Sequence, residues 1–186
     1  TQATTKRWPL PELVAGCVER EIPAVGLWRE EVAEYGLEKA AALIKDSGLV
    51  TSSLCRGGFF QQKDWFDENR RAIDEAATLG TDTLVLVSGG LPDGSQDIDA
   101  ARRHVSDAIG ELVPHAQAAG VRLAIEPLHP MFASDRCVVS SLGQALQIAA
   151  PHPADAVGVV IDTYHIWWDD QVWQLIEAAG KQGRIA

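Results

Sequence analysis

Cysteine is scarce: Cys17, Cys55 and Cys137 are the only three in 186 residues. An odd number with no C-x-x-C pair argues against a disulfide framework and against a zinc ribbon. It predicts buried, reduced thiols in a cytoplasmic protein. Basic residues are also few, with 16 Lys and Arg against 26 Asp and Glu, for a formal net charge of −10. A chain that grips a phosphate backbone carries a basic stripe, and no run of Lys or Arg is present, so nucleic acid is not an expected partner. No apolar stretch reaches the roughly 20 residues that a membrane-spanning helix needs, and the first residues do not read as a signal peptide. A membrane is therefore not expected as a partner. The first residue is Thr1 rather than Met, so the extreme N-terminus is expected to be missing or trimmed. Finally, no G-x-G-x-x-G follows an apolar run, which removes the main support for dinucleotide binding.

What is present is a rhythm. Short runs rich in Val, Ile and Leu occur at Ala24–Trp28, Val50–Cys55, Thr83–Val87, Val121–Glu126 and Val157–Asp162. Each has the length and composition of a buried parallel strand. Between them lie helical patterns over Leu10–Glu21, Leu37–Ser47, Trp65–Leu79, Ala100–Ala119, Leu142–Ala149 and Val172–Ala179. Gly48, Gly80, Gly120 and Gly180 follow these patterns and are expected to close helices. The alternation implies a parallel sheet with helices outside.

Polar residues end several different strands: Arg29, Arg56, Ser88, Glu126 and Asp162. A barrel builds its site in this way, on the face where the strands end. The fold expected is α/β, a (β/α)8 TIM barrel in a single domain over residues 1–186. Residues 1–5 are read as the end of a first strand and residues 184–186 as the start of a seventh. A whole barrel takes about 250 residues, so six strands are expected here, the first partial, with the C-terminal part of the barrel lying beyond Ala186.

The chemistry concentrates in two segments. In Val121–Pro130 an apolar strand ends in Glu126-Pro-Leu-His129-Pro, and in Val157–His165 the next ends in Asp162-Thr-Tyr-His165. The carboxylates are separated by one βα unit, and adjacent strands run about 4.8 Å apart. Two such charges repel and raise one pKa; a hard divalent cation between them removes the conflict. His165 is read as a further ligand or as a partner for a substrate hydroxyl, and His129 as a pocket residue. Arg56 and Arg136 are read as cations able to hold a phosphate or carboxylate. Trp28, Phe59, Phe60, Trp167 and Trp168 sit where ring faces would meet sugar C–H groups. Trp8, Trp65 and Trp173 fall in or beside helical patterns and are read as packing.

Glu126-Pro-Leu-His129-Pro with Asp135-Arg136, and Asp162-Thr-Tyr-His165-Ile-Trp-Trp-Asp169, resemble the xylose-isomerase-like superfamily of sugar (phosphate) isomerases and epimerases. Leu54-Cys55-Arg56-Gly57-Gly58-Phe59-Phe60 is similar to the corresponding segment of one bacterial branch. The resemblance implies a metal held by Glu, Asp, usually His, and Glu from the last four barrel strands. Glu126 and Asp162 match the first two, and the others would follow Ala186. It implies Mn²⁺ or Mg²⁺, with Co²⁺ or Zn²⁺ as further options, and Glu126 as both ligand and acid–base residue. The substrate would be a small carbohydrate, and a homo-oligomer follows by analogy. The expected activity is isomerisation or epimerisation through an enediolate. A metal-dependent lyase or dehydratase acting on a polyol or glycoside is the alternative, and an inactive fragment or interaction subunit a third. Endonucleases acting at abasic sites share the superfamily, but need more His ligands and a basic face.

Overall fold

The structure, a computed structural model, describes residues 2–186. Gln2–Thr5 form a short 3-10 turn, followed by α1 (Leu10–Glu19), β1 (Ala24–Trp28), α2 (Arg29–Tyr35), α3 (Leu37–Ser47) and β2 (Val50–Gly58). Next come α4 (Trp65–Thr78), β3 (Thr83–Val87), α5 (Ile98–Ala118) and β4 (Arg122–Glu126). The chain finishes with α6 (Leu142–Ala149), β5 (Val157–Val159), α7 (Thr163–Ile166) and α8 (Val172–Lys181).

The five strands pair in parallel in the order β1-β2-β3-β4-β5. That order decides between the two closures open to a βαβ rhythm. A doubly wound sheet reverses its strand order at a switch point, whereas a barrel adds each strand beside the last. The fold is a TIM-barrel arc. Leu84 and Leu86 of β3, Leu123 and Ile125 of β4, and Val157 and Val159 of β5 are fully buried. Ile73, Ile109, Leu112 and Leu142 of the surrounding helices belong to the same core.

The N-terminal reading needs correction. Thr1 lies outside the described residues, and Gln2–Thr5 are 3-10 helix rather than strand. The segment does lie against β1, but through a side chain: the Trp28 N–H donates to Gln2 Oε1 at 2.7 Å. An amide thus takes the place of a ladder bond at the sheet edge. At the other edge the Val159 N–H donates to the Arg184 carbonyl (2.7 Å), and the Ala186 N–H donates to the Val159 carbonyl (3.2 Å). Ile185 therefore makes a single parallel bridge to β5. Arg184 is buried, and its guanidinium donates to the carbonyls of Val157, Ala150 and His152.

Gly180 also differs from expectation. It lies inside α8, and the left-handed glycine after that helix is Gly183, at φ 64°. β5 stops at Val159 because the chain turns toward α7, whose first turn is capped by Asp162.

Candidate functional site

Register sets the heights of the two carboxylates. Val87 pairs with Glu126, and Ile125 pairs with Val159. Glu126 therefore stands at the C-terminal end of β4, level with Val160, and Asp162 comes two residues past that level on the neighbouring segment. Pro127 ends the ladder immediately after Glu126. Asp162 is held from the other side, as its Oδ1 accepts the Tyr164 N–H at 2.8 Å and caps α7. One turn of that helix brings His165 back over Asp162. Ligand atoms of Glu126, Asp162 and His165 all lie within 4.8 Å of one another, and all three residues are half-buried.

This donor set fits a hard divalent ion. Two carboxylate oxygens converge with no cation between them among the described residues. Burial pushes the Glu126 carboxyl up to about 7, the Asp162 charge adds to the rise, and the Arg56 charge opposes it. A carboxylate left in that state lacks the partner that buried charges ordinarily have.

The histidines are tied to each other. His165 Nδ1 accepts the His129 main-chain N–H at 3.1 Å. A neutral imidazole with Nδ1 accepting carries its proton on Nε2. His165 in this arrangement is a donor toward a ligand oxygen; ligating a metal through Nε2 would require it to release the bond to His129. Burial pulls its pKa down, and the Asp162 charge works against that. His129 Nδ1 accepts the Met131 N–H at 3.1 Å. Its ring stacks on Trp167 (6.0 Å, 25°) and meets Trp168 edge-on (6.2 Å, 77°). Trp168 Nε1 donates to the His165 carbonyl at 2.9 Å.

Other residues proposed from sequence fall in different places. Trp28 ends β1 and is half-buried. Arg56 lies over the Phe59 ring (5.1 Å) and pairs with Glu30 at 3.4 Å. Arg136 pairs with its neighbour Asp135 at 2.8 Å and lies over Phe132 (5.2 Å). Arg29 is taken up by Glu75 and Glu68, at 2.5 and 2.9 Å. Ser88 is a buried clamp, its Oγ accepting the Val138 N–H. Phe60 is 1 % exposed and belongs to the core rather than to a pocket. Trp65 packs edge-on against Phe60 at 5.8 Å, as a packing residue should. Trp173 does not: it is 77 % exposed, because α8 turns Val172, Leu175 and Ile176 inward instead.

Two neighbours escaped the sequence reading. Cys55 lies close enough to feel the Glu126 charge; burial first, then that charge, push its thiol up to about 12. No alternation in β2 could have found it, since the strand is buried at Thr51, Leu54, Gly57 and Gly58 and shifts register against both neighbours. Tyr164 sits with its ring 4.9 Å from that of His165.

Among known proteins, a crystal structure of a protein from Sinorhizobium meliloti 1021 is 49% identical and superposes with a TM-score of 0.92, over 97% of this chain and 68% of that one. The 3-keto-D-glucoside 4-epimerase of E. coli matches at 18% identity and TM-score 0.77, over 95% of this chain and 72% of the other. The zinc-bound IOLI protein matches at 21% and 0.72, over 93% and 64%. No curated protein sequence matches. The family described as xylose isomerase-like TIM barrel matches residues 15–185. Sequential parallel strands and a match over nearly all of its length agree: this chain belongs to the xylose isomerase-like TIM-barrel family.

Proposed function

We propose that Glu126 and Asp162 are two ligands of a divalent-metal site, and that the site serves a sugar isomerase or epimerase. One observation carries the reading: two carboxylates and an imidazole converge within 4.8 Å at the ends of neighbouring strands. Oxygen donors of this kind suit Mn²⁺ or Mg²⁺. The zinc-bound IOLI protein and the E. coli epimerase, which share this fold, support the same direction.

Bound there, a divalent ion supplies Lewis-acid stabilisation of negative charge on a substrate oxygen. The chain's own residues do the rest. A Glu126 carboxyl near 7 is suited to taking and returning the proton on carbon beside a carbonyl, since an acid–base group works best near ambient pH. His165 Nε2 donates to a substrate oxygen. His129 holds His165 in that orientation through its main-chain N–H. Trp168 borders the site through its bond to the His165 carbonyl and its contact with His129, and Arg56 moderates the charge of Glu126. The substrate class is a small carbohydrate.

Mn²⁺ titration followed by electron paramagnetic resonance tests the ligand assignment. Glu126→Gln and Asp162→Asn are each expected to weaken Mn²⁺ binding by at least about tenfold. Unchanged affinity in Glu126→Gln refutes it.

A further inference from the structure

A cavity of about 400 Å³ lies between α2, the end of β2 and α4. Its walls all come from residues 29–75, so none is contributed by β5 or by the segment that follows it. Three guanidinium groups and three carboxylates line it: Arg29, Arg56 and Arg71, with Glu30, Glu68 and Glu75. Gly58, also in its wall, is level with Val87 in the sheet, and Val87 is level with Glu126. The cavity therefore stands at the height of the carboxylate pair, two strand spacings or roughly 10 Å across from it.

The three cations are not equally engaged. Arg29 is locked: it is bidentate to Glu75 (2.5 and 3.0 Å), pairs with Glu68 at 2.9 Å and donates to the Arg56 carbonyl at 3.4 Å. Arg71 meets Glu68 at 2.8 Å. Arg56 has one 3.4 Å approach to Glu30, and the two side chains are 43 % and 63 % exposed. An exposed pair with a single long contact holds its partners weakly. Arg29 thus steadies the main chain of Arg56, the Phe59 ring supports its guanidinium at 5.1 Å, and the fork itself is free to exchange one carboxylate for another. Arg56 also borders the proposed reacting centre, since its charge is felt at Glu126.

Such an exchange selects its ligand. A planar carboxylate can take two N–H groups of the fork at once. A phosphate dianion would bring a second negative charge among Glu30, Glu68 and Glu75, where Arg29 and Arg71 are already paired. A neutral sugar would leave the Arg56–Glu30 pair as it stands. Resting on the sugar site proposed above, we propose that the substrate is a sugar acid, whose carboxylate displaces Glu30 from Arg56 while its carbonyl end lies at Glu126 and Asp162. Binding at a group remote from the chemistry would then position the reacting end.

The test compares D-gluconate, D-glucuronate and D-galacturonate with D-glucose and D-glucose 6-phosphate by calorimetry, once with Mn²⁺ and once with a chelator. At least one acid is expected to bind about tenfold more tightly than glucose and than the phosphate in both conditions. Arg56→Gln should erase that advantage, and Arg56→Lys should restore only part of it, since an ammonium lacks the fork. Glu30→Gln should tighten binding of the acid about threefold and leave glucose unchanged, because the competing carboxylate is gone. A purely structural Arg56–Glu30 pair gives no such gain. The proposal is overturned if the phosphate binds most tightly, if no acid exceeds glucose, or if Glu30→Gln leaves the acid unchanged. It is also overturned if the advantage needs Mn²⁺ or survives Arg56→Gln, since the metal then holds the carboxylate. Circular dichroism checks that each variant is folded, and Glu30→Gln decides the matter alone should Arg56→Gln fail to fold. Mn²⁺ affinity measured without sugar judges the metal reading separately, so the two can fail independently.

Discussion

The proposed site asks two opposed things of Glu126. It would have to be ionised to hold a cation, yet its surroundings favour the neutral acid, with a pKa moved from 4.5 to about 7. A carboxyl raised in the folded state binds its proton more tightly there than in the unfolded chain. The metal-free protein is therefore expected to lose stability as pH rises from about 4.5 through about 7. The loss from this one group is about 3 kcal/mol at most. Glu126→Gln removes the ionisation, so in the presence of a chelator the variant should melt at a higher temperature than wild type at pH 8 and at a similar one at pH 4.5. Thermal denaturation across that pH range checks this, and a parallel decline in the two proteins would show that Glu126 is not the group responsible. The same substitution that stabilises the empty site is the one expected to weaken Mn²⁺ binding.

Much of the secondary structure was legible in the sequence because its signals are local. α3 and α6 run over the residues their periodicity marks. α2 and α7 were not legible. α2 starts on Arg29, directly after the last residue of β1, leaving no turn to announce it, and its buried face is Val32 alone. α7 is four residues long and exists because Asp162 caps it. Trp173 was misread for a related reason: helical periodicity gives the repeat of a face but not which way the face points. The carboxylate pair could be read from one βα spacing. The His129–His165 bond could not, because it depends on two loops meeting in space.

The bend where β2 ends is held by one amide. Asn69 Oδ1 accepts the Gly58 N–H at 2.6 Å, while Nδ2 donates to the carbonyls of Gly58 and Trp65. Gly58 has φ 102°, and a Cβ there would lie 1.9 Å from the Val87 carbonyl oxygen. Gly58→Ala is expected to destabilise the chain by about 3–5 kcal/mol, through strain at a position that only glycine adopts readily. Asn69→Ala should cost about 2–3 kcal/mol by leaving buried main-chain groups unpaired. Urea unfolding at pH 7 measures both. A loss below about 1 kcal/mol in either would show that the bend is held by something else.

For the whole molecule, charge and shape point to the same partners. An excess of ten negative charges opposes a phosphate backbone, whose binding draws on Lys and Arg displacing counterions. No helix among the described residues is long and apolar enough to cross a membrane. An abasic DNA duplex is expected to show no salt-sensitive binding between 50 and 200 mM salt, on the order of the range where such contacts reveal themselves. A mobility shift that weakens steeply over that range would instead place the chain with the nucleases of its family.

The strictly sequential order of the sheet has a consequence during synthesis. Each strand pairs with the one translated just before it, so its template has already left the ribosome when it emerges. Glu126 is therefore seated well before Asp162 exists, the interval for 36 residues being roughly two to seven seconds at 5–20 residues per second. In that interval the lone carboxyl is spared its neighbour's repulsion. The nascent chain can pair four strands before the segment carrying Asp162 emerges and brings the electrostatic conflict with it.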